Sequence, residues 1–166
     1  MVRKNILNIL LLTVAAWVLY NRAPTIINHF RYQDQKALDF TLKTLNGDSF
    51  TLGQQSKKMV IVFWATWCGP CEVELKRINQ MIADKKILPT DVLAIVSQED
   101  EKIIANKVSS EKYLFMIGID HEGIVANNFQ VRATPTIIFL DKDQTINWMT
   151  SGISPTLQYR ISSFIN

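Results

Sequence analysis

The chain has 166 residues, a net charge of +3 and 48% apolar residues. Its lysines and arginines are scattered in short pairs such as Lys57-Lys58 and Lys85-Lys86, with no basic stripe interleaved with aromatics, which argues against nucleic-acid binding. Beyond an apolar head about 140 residues remain, one ordinary domain that buries roughly two-thirds of its unfolded surface and needs no covalent staple.

Met1-Val2-Arg3-Lys4 is a short basic head before an apolar stretch, Ile6 to Tyr20, interrupted only by Asn8 and Thr13. The stretch is short for a spanning helix, which takes about 20 residues, and it also fits the hydrophobic region of a signal peptide. A buried helix of a soluble domain fits less well, because the apolar residues occupy all faces. Trp17-Val18-Leu19-Tyr20-Asn21-Arg22 is bulky and offers no small-x-small cleavage site, so the expectation is an uncleaved signal anchor over residues 1–22. Trp17 and Tyr20 suit the far interface. Arg3 and Lys4 argue for a cytoplasmic head, whereas Arg22, Arg31 and Lys36 blunt the bias. Residues 23–36, with Pro24, read as a tether, and residues 37–166 as the domain.

In the domain, Asp39-Phe40-Thr41-Leu42 and Ser49-Phe50-Thr51-Leu52 flank Asn46-Gly47-Asp48, a strong hairpin signal. Met59 to Trp64 is an apolar run that reads as a strand buried on both faces. A helix is predicted from about 69 to 85, a buried strand over 91–97 and a helix over 100–112. A short strand over 114–119 and a helical turn or two over 123–129 follow. Thr136 to Leu140 is another buried strand, turning at Asp141-Lys142-Asp143-Gln144 into a hairpin partner over 145–150. Ser154 and Pro155 then take the N-cap and N1 positions of a last helix with Leu157, Ile161 and Phe164 on its apolar face. Alternating strands and helices imply an α/β sandwich around a mixed sheet.

The only two cysteines, Cys68 and Cys71, fall at the junction between the first buried strand and the helix after it. Closing so short a loop adds only about 2 kcal/mol in the loop-entropy model, so a structural disulfide is a weak reading. Unpaired backbone N–H groups and the helix dipole stabilise an anion at that end. Gly69 and Pro70 open the first turn, where a missing N–H costs nothing. Such placement lowers a thiol pKa from about 8.5 into the range of roughly 3.5–7.5. Cys68 is therefore assigned as nucleophile and Cys71, one turn further in, as resolving thiol. Glu74 lies at the edge of the stripe formed by Cys71, Leu75, Ile78 and Ile82, where it is either a proton carrier for the exchange or a solvated helix residue. Glu72 and Lys76 form an i,i+4 surface pair.

Trp67-Cys68-Gly69-Pro70-Cys71 resembles the thioredoxin active-site motif, and Ala133-Thr134-Pro135-Thr136 before a buried strand resembles that family's cis-proline loop. Over residues 37–166 the chain looks like the membrane-anchored TlpA-, ResA- and CcmG-like thiol–disulfide oxidoreductases. The features are the N-terminal anchor, the leading hairpin and extra sequence between Cys71 and Pro135. The tail from Thr150 to Asn166 is similar to that of suppressor-of-copper-sensitivity D proteins.

The resemblance implies a thioredoxin-like three-layer sandwich: a central mixed sheet with helices on both faces, an N-terminal β-hairpin and a central insertion. It implies a cis Thr134–Pro135 bond and a partner chain held by Trp67, Gly69, Pro70, Thr134 and Pro135. It further implies a domain on the extracytoplasmic side of a bacterial inner membrane that exchanges with protein thiols and disulfides. A membrane thiol donor of the DsbD type would recharge it. Cytochrome c maturation, copper-stress repair and general disulfide reduction all fit such a thiol pair.

Two positions depart from the family pattern. Thioredoxin's buried acid falls at Val62, which carries no protons, and its helix-kinking proline falls at Lys76. Gly-Pro between the cysteines matches thioredoxin and points to a reductant, with an oxidant or isomerase as the runner-up. No cofactor beyond the redox disulfide and no metal site is expected, since His29 and His121 lack ligand spacing with the cysteines. A Cu(I) module built on the two thiolates, and an anchored interaction domain with incidental thiols, are the readings from other classes.

Overall fold

The structure is a computed structural model and describes Asn8, residues 11–17 and residues 33–166. Residues 11–17 are helical with exposed side chains. No helix among the described residues is long and apolar enough to cross a membrane. Most of the expected anchor over residues 1–22, and the tether to residue 32, lie outside the described residues.

One sheet of seven strands organises the domain: β1 (Thr41–Thr44), β2 (Ser49–Thr51), β3 (Met59–Trp64), β4 (Val92–Ser97), β5 (Met116–Asp120), β6 (Thr136–Leu140) and β7 (Ile146–Ser151). Their order across the sheet is β2-β1-β5-β4-β3-β6-β7. The β3–β4 and β4–β5 pairs are parallel and the others antiparallel, so the sheet is mixed. Four helices accompany it: α1 (Gly69–Ala83), α2 (Glu101–Glu111), α3 (Ile124–Asn128) and α4 (Leu157–Ile165).

The all-apolar β3 follows from its central place. Val60, Val62 and Trp64 face the core shared with α1, α2 and α4, while Met59, Ile61 and Phe63 face the one shared with α3 and the hairpin. This is the three-layer sandwich. Two strand–helix units, β4–α2 and β5–α3, fill the long sequence between Cys71 and Pro135. The β1–β2 turn is closed by the Thr44 N–H on the Asp48 carbonyl, with Gly47 at φ +90, a conformation glycine adopts without steric cost.

Asp34 and Lys36 also meet the sheet: the Asp34 N–H donates to the Ile146 carbonyl (2.9 Å), and Lys36 bridges Thr145 beside β7. One sequence expectation shifts. The last helix starts at Leu157 with Thr156 as its N-cap, not Ser154. The Ser154 backbone is drawn away to α1, and Ser154-Pro155-Thr156 form a turn closed by the Leu157 N–H on the Ser154 carbonyl. Lys76 sits within an unbroken α1 of 15 residues.

Candidate active site

Cys68 and Cys71 are joined as a disulfide, the Sγ atoms 2.01 Å apart. Cys68 is the N-cap of α1, with Gly69 and Pro70 as its first two residues. The Cys71 N–H reaches both the carbonyl (3.1 Å) and the sulfur (3.2 Å) of Cys68. This is one N–H of a helix N-terminus turned on a sulfur atom. Cys68 keeps 7% of its surface exposed and Cys71 none. Trp67 stands on the rim at 79% exposure, beside exposed Gly69 and Pro70. A Cβ placed on Gly69 would meet nothing within 4 Å, so the space over the residue next to Cys68 is open.

The Thr134–Pro135 bond is cis. β6 runs antiparallel to β3 with Thr136 opposite Phe63, which puts the Thr134–Pro135 loop at the end of β3 that leads to Cys68. Thr136 anchors the loop: its hydroxyl donates to the Ala133 carbonyl (2.7 Å) and pairs with the Ser151 hydroxyl (2.8 Å). The Gly152 N–H occupies the Pro135 carbonyl at 2.8 Å. Tertiary structure thus gathers Trp67, Cys68, Gly69, Pro70, Thr134 and Pro135 at one end of the sheet.

Glu74 is not a solvated helix residue: it is fully buried. The reason is α4, which packs against α1 and buries Leu157 and Ile161 beside Ile78 and Met81. One carboxylate oxygen of Glu74 accepts the Ser154 N–H (2.5 Å) and the other faces Arg77 Nη1 (3.3 Å). Val62 is fully buried among apolar side chains, so no acid lies at that position of the core.

Glu72 and Lys76 belong to more than a surface pair. Lys76 Nζ lies 2.5 Å from Glu72 and 3.0 Å from Glu111, and Lys107 Nζ lies 2.7 Å from Glu72 and 3.1 Å from Glu111. Four charges close a ring between α1 and α2. Hydrogen bonds from Lys107 and then Lys76 hold the Glu72 carboxyl down at about 2, and the bonds to Glu72 and then Glu111 push both lysines up.

Glu99 went unread in the sequence. It follows β4, and its carboxylate accepts the Thr66 N–H (3.0 Å) and the Thr66 hydroxyl, pinning the turn that delivers Cys68. The available signal was topological: a residue just past the carboxyl end of the strand parallel to β3 lies where open α/β sheets build their sites. His121 meets Glu101 at 2.9 Å, and among the described residues no group of three or more His, Cys, Asp or Glu is placed to hold a metal ion.

The family model of the AhpC/TSA family matches residues 34–149. The chain belongs to the AhpC/TSA family. Thioredoxin-like protein YneN of Bacillus subtilis is 33% identical over 121 residues, covering 69% of this chain and 68% of that protein. Thiol-disulfide oxidoreductase ResA of Geobacillus kaustophilus is 30% identical over 117 residues, covering 70% and 67%. Among solved structures, a secreted Mycobacterium tuberculosis disulfide oxidoreductase described as homologous to E. coli DsbE superposes with a TM-score of 0.60 at 26% identity, covering 76% of this chain and 93% of that one. Within this AhpC/TSA member, the Cys68–Cys71 disulfide at a helix N-terminus and these relatives together give a thioredoxin-like thiol–disulfide oxidoreductase.

Proposed function

We propose that the protein reduces disulfides of partner proteins outside the cytoplasm, held at the membrane by its N-terminal segment. The observation that carries the reading is Cys68 at the N-cap of α1, slightly exposed beside an open approach, with Cys71 buried behind it. In the reduced protein, the helix end stabilises the Cys68 thiolate. That thiolate attacks one sulfur of the partner's disulfide; a Cys68–partner bond forms and the partner's second sulfur leaves as a thiolate. Cys71, deprotonated, then attacks Cys68 Sγ, the Cys68–Cys71 bond re-forms, and the second partner thiolate is released. Two protons finish the partner's dithiol. Two electrons and two protons from a membrane dithiol of the DsbD kind return the protein to its reduced state.

The partner segment lies across Trp67, Gly69 and Pro70, against the Thr134–Pro135 loop. The anchor reading rests on the basic head and the apolar run from Ile6 to Tyr20. The reducing direction rests on Gly-Pro between the cysteines: thioredoxin, with that dipeptide, sits at about −270 mV, against about −120 mV for DsbA.

Equilibration of the full chain with glutathione tests the direction, and a potential near −120 mV would overturn it. Trapping tests the partner class. Cys71→Ala stalls the mixed disulfide, and an extracytoplasmic fraction that yields no Cys68-linked protein would count against the reading.

A further inference from the structure

The turn from Gly152 to Ser154 is gripped from two sides. On one side it meets α1: the Ser154 N–H donates to Glu74 at 2.5 Å, Arg77 Nη1 approaches the Ser154 carbonyl at 3.5 Å, and Gln158 Nε2 reaches the Arg77 carbonyl at 3.4 Å. On the other side it meets the cis-proline loop, through the Gly152 N–H on the Pro135 carbonyl (2.8 Å) and Ser151 on Thr136 (2.8 Å). Gly152 takes φ +80, a left-handed conformation that lets the chain reverse at this point. Ile153, between the two grips, is exposed.

We propose that Glu74 is a positioning residue: its carboxylate latches the Gly152–Ser154 turn to the helix carrying Cys71, and through that turn sets the cis-proline loop for the partner chain. The inference rests on thiol–disulfide exchange at Cys68, in whichever direction electrons flow. Three features support a latch over a proton carrier. Both Glu74 oxygens are occupied, one by a backbone N–H and one by a guanidinium. The carboxylate is fully buried, where an unmet backbone N–H would be costly, so the Ser154 contact is firmly held. The path from Glu74 runs by hydrogen bond to Ser154, along the chain through Ile153 to Gly152, and by hydrogen bond to Pro135, so it ends on the cis-proline loop and not on a sulfur.

A latch affects how well the partner chain is bound, whereas a proton carrier affects when the thiol ionises. Full-length protein in detergent, assayed with insulin as the protein disulfide, separates the two. Glu74→Ala is expected to raise KM for insulin about tenfold, with the larger part of the loss in KM and not kcat. The pH midpoint of Cys68 alkylation should stay where it is in the wild type. Glu74→Gln keeps an oxygen for the Ser154 N–H and is expected to bring KM back to within about threefold of wild type. Amide exchange at Gly152–Ser154 should quicken in Glu74→Ala and stay slow in Glu74→Gln.

If Glu74→Gln is as impaired as Glu74→Ala and the alkylation midpoint moves, Glu74 carries protons and the latch is wrong. An unchanged KM in both variants is equally fatal. Where Glu74→Ala does not fold, Glu74→Gln alone decides by whether its KM stays near wild type. The same comparison runs in the oxidising direction with reduced insulin chains. A wild-type protein that only oxidises therefore removes the reductase reading while leaving this test intact.

Discussion

Glu72 and Glu74 stand two residues apart on one helix and live in opposite settings. Glu72 faces outward into a ring with Lys76, Lys107 and Glu111, all reached by water. Glu74 faces inward, sealed under α4, with a backbone N–H and Arg77 as its partners. Charge pairs in high dielectric contribute little and are screened by salt, whereas a buried carboxylate is sustained only by the specific donors around it. The outer face of α1 is therefore replaceable, and the inner face, with Cys71 and Glu74, is not.

The largest effect should come from the sulfur at the head of the helix. Cys68→Ala is expected to lower insulin reduction by at least about a thousandfold, whereas Glu72→Gln keeps it within about threefold, both read by turbidity. If the two variants were equally active, the site would lie elsewhere.

Next in size is the loss of the inner carboxylate. Glu74→Leu strips the Ser154 N–H and Arg77 of their acceptor and is expected to cost about 2 kcal/mol in urea unfolding. A midpoint equal to that of Glu72→Gln would erase the contrast between the two faces.

The outer ring predicts an acid limb. The Glu72 carboxyl is held from its ordinary 4.5 down to about 2, first by the hydrogen bond from Lys107 and then by that from Lys76. A depressed carboxyl stabilises the fold above its unfolded value and loses that contribution as pH falls from about 4.5 toward 2. The urea midpoint should drop across that window in low salt. The drop should be shallower in Glu72→Gln and in 1 M NaCl, where the Debye length is about 3 Å.

The smallest effect is expected beneath the ring. The Tyr113 hydroxyl is buried without a hydrogen-bond partner, and the ring meets Trp64 edge-on at 5.9 Å. Tyr113→Phe keeps the ring contact and removes an unpaired polar atom, so stability should change by less than about 0.5 kcal/mol. Burial pushes the Tyr113 phenol up to about 12 from 10.0. Between those values the unfolded phenol ionises first, so the wild type loses stability as pH rises and the Phe variant does not share that loss. Parallel alkaline urea titrations check it.

Much of the site was legible because it is local. Cys68, Gly69, Pro70 and Cys71 are contiguous, and the apolar runs at 59–64 and 92–97 announce central strands because both faces of such strands are covered. Glu74 was legible only as an ambiguous residue. Helical periodicity places it at a stripe edge, and nothing in that periodicity says that α4, some eighty residues later, closes over it. The Ser154-Pro155 pair misled for the same reason: its local pattern is a helix start, whereas Ser154 is tied to Glu74, 80 residues away, and the helix begins only after Thr156. Glu99 was silent because its partner Thr66 lies across a parallel strand pair, 33 residues away.

The sequence by itself determined the alternation of strands and helices and the pair of cysteines at a strand–helix junction. These depend on side-chain pattern, turn chemistry and the exposed N–H groups of one helix end, all of which are local. Tertiary structure alone decided that Thr134–Pro135 lies beside Cys68, that Glu99 holds the approach to it, and that Glu74 is locked to Ser154. Those are contacts between segments far apart in the chain. They exist because packing the elements on a common sheet buries polar groups that must then find partners within the fold.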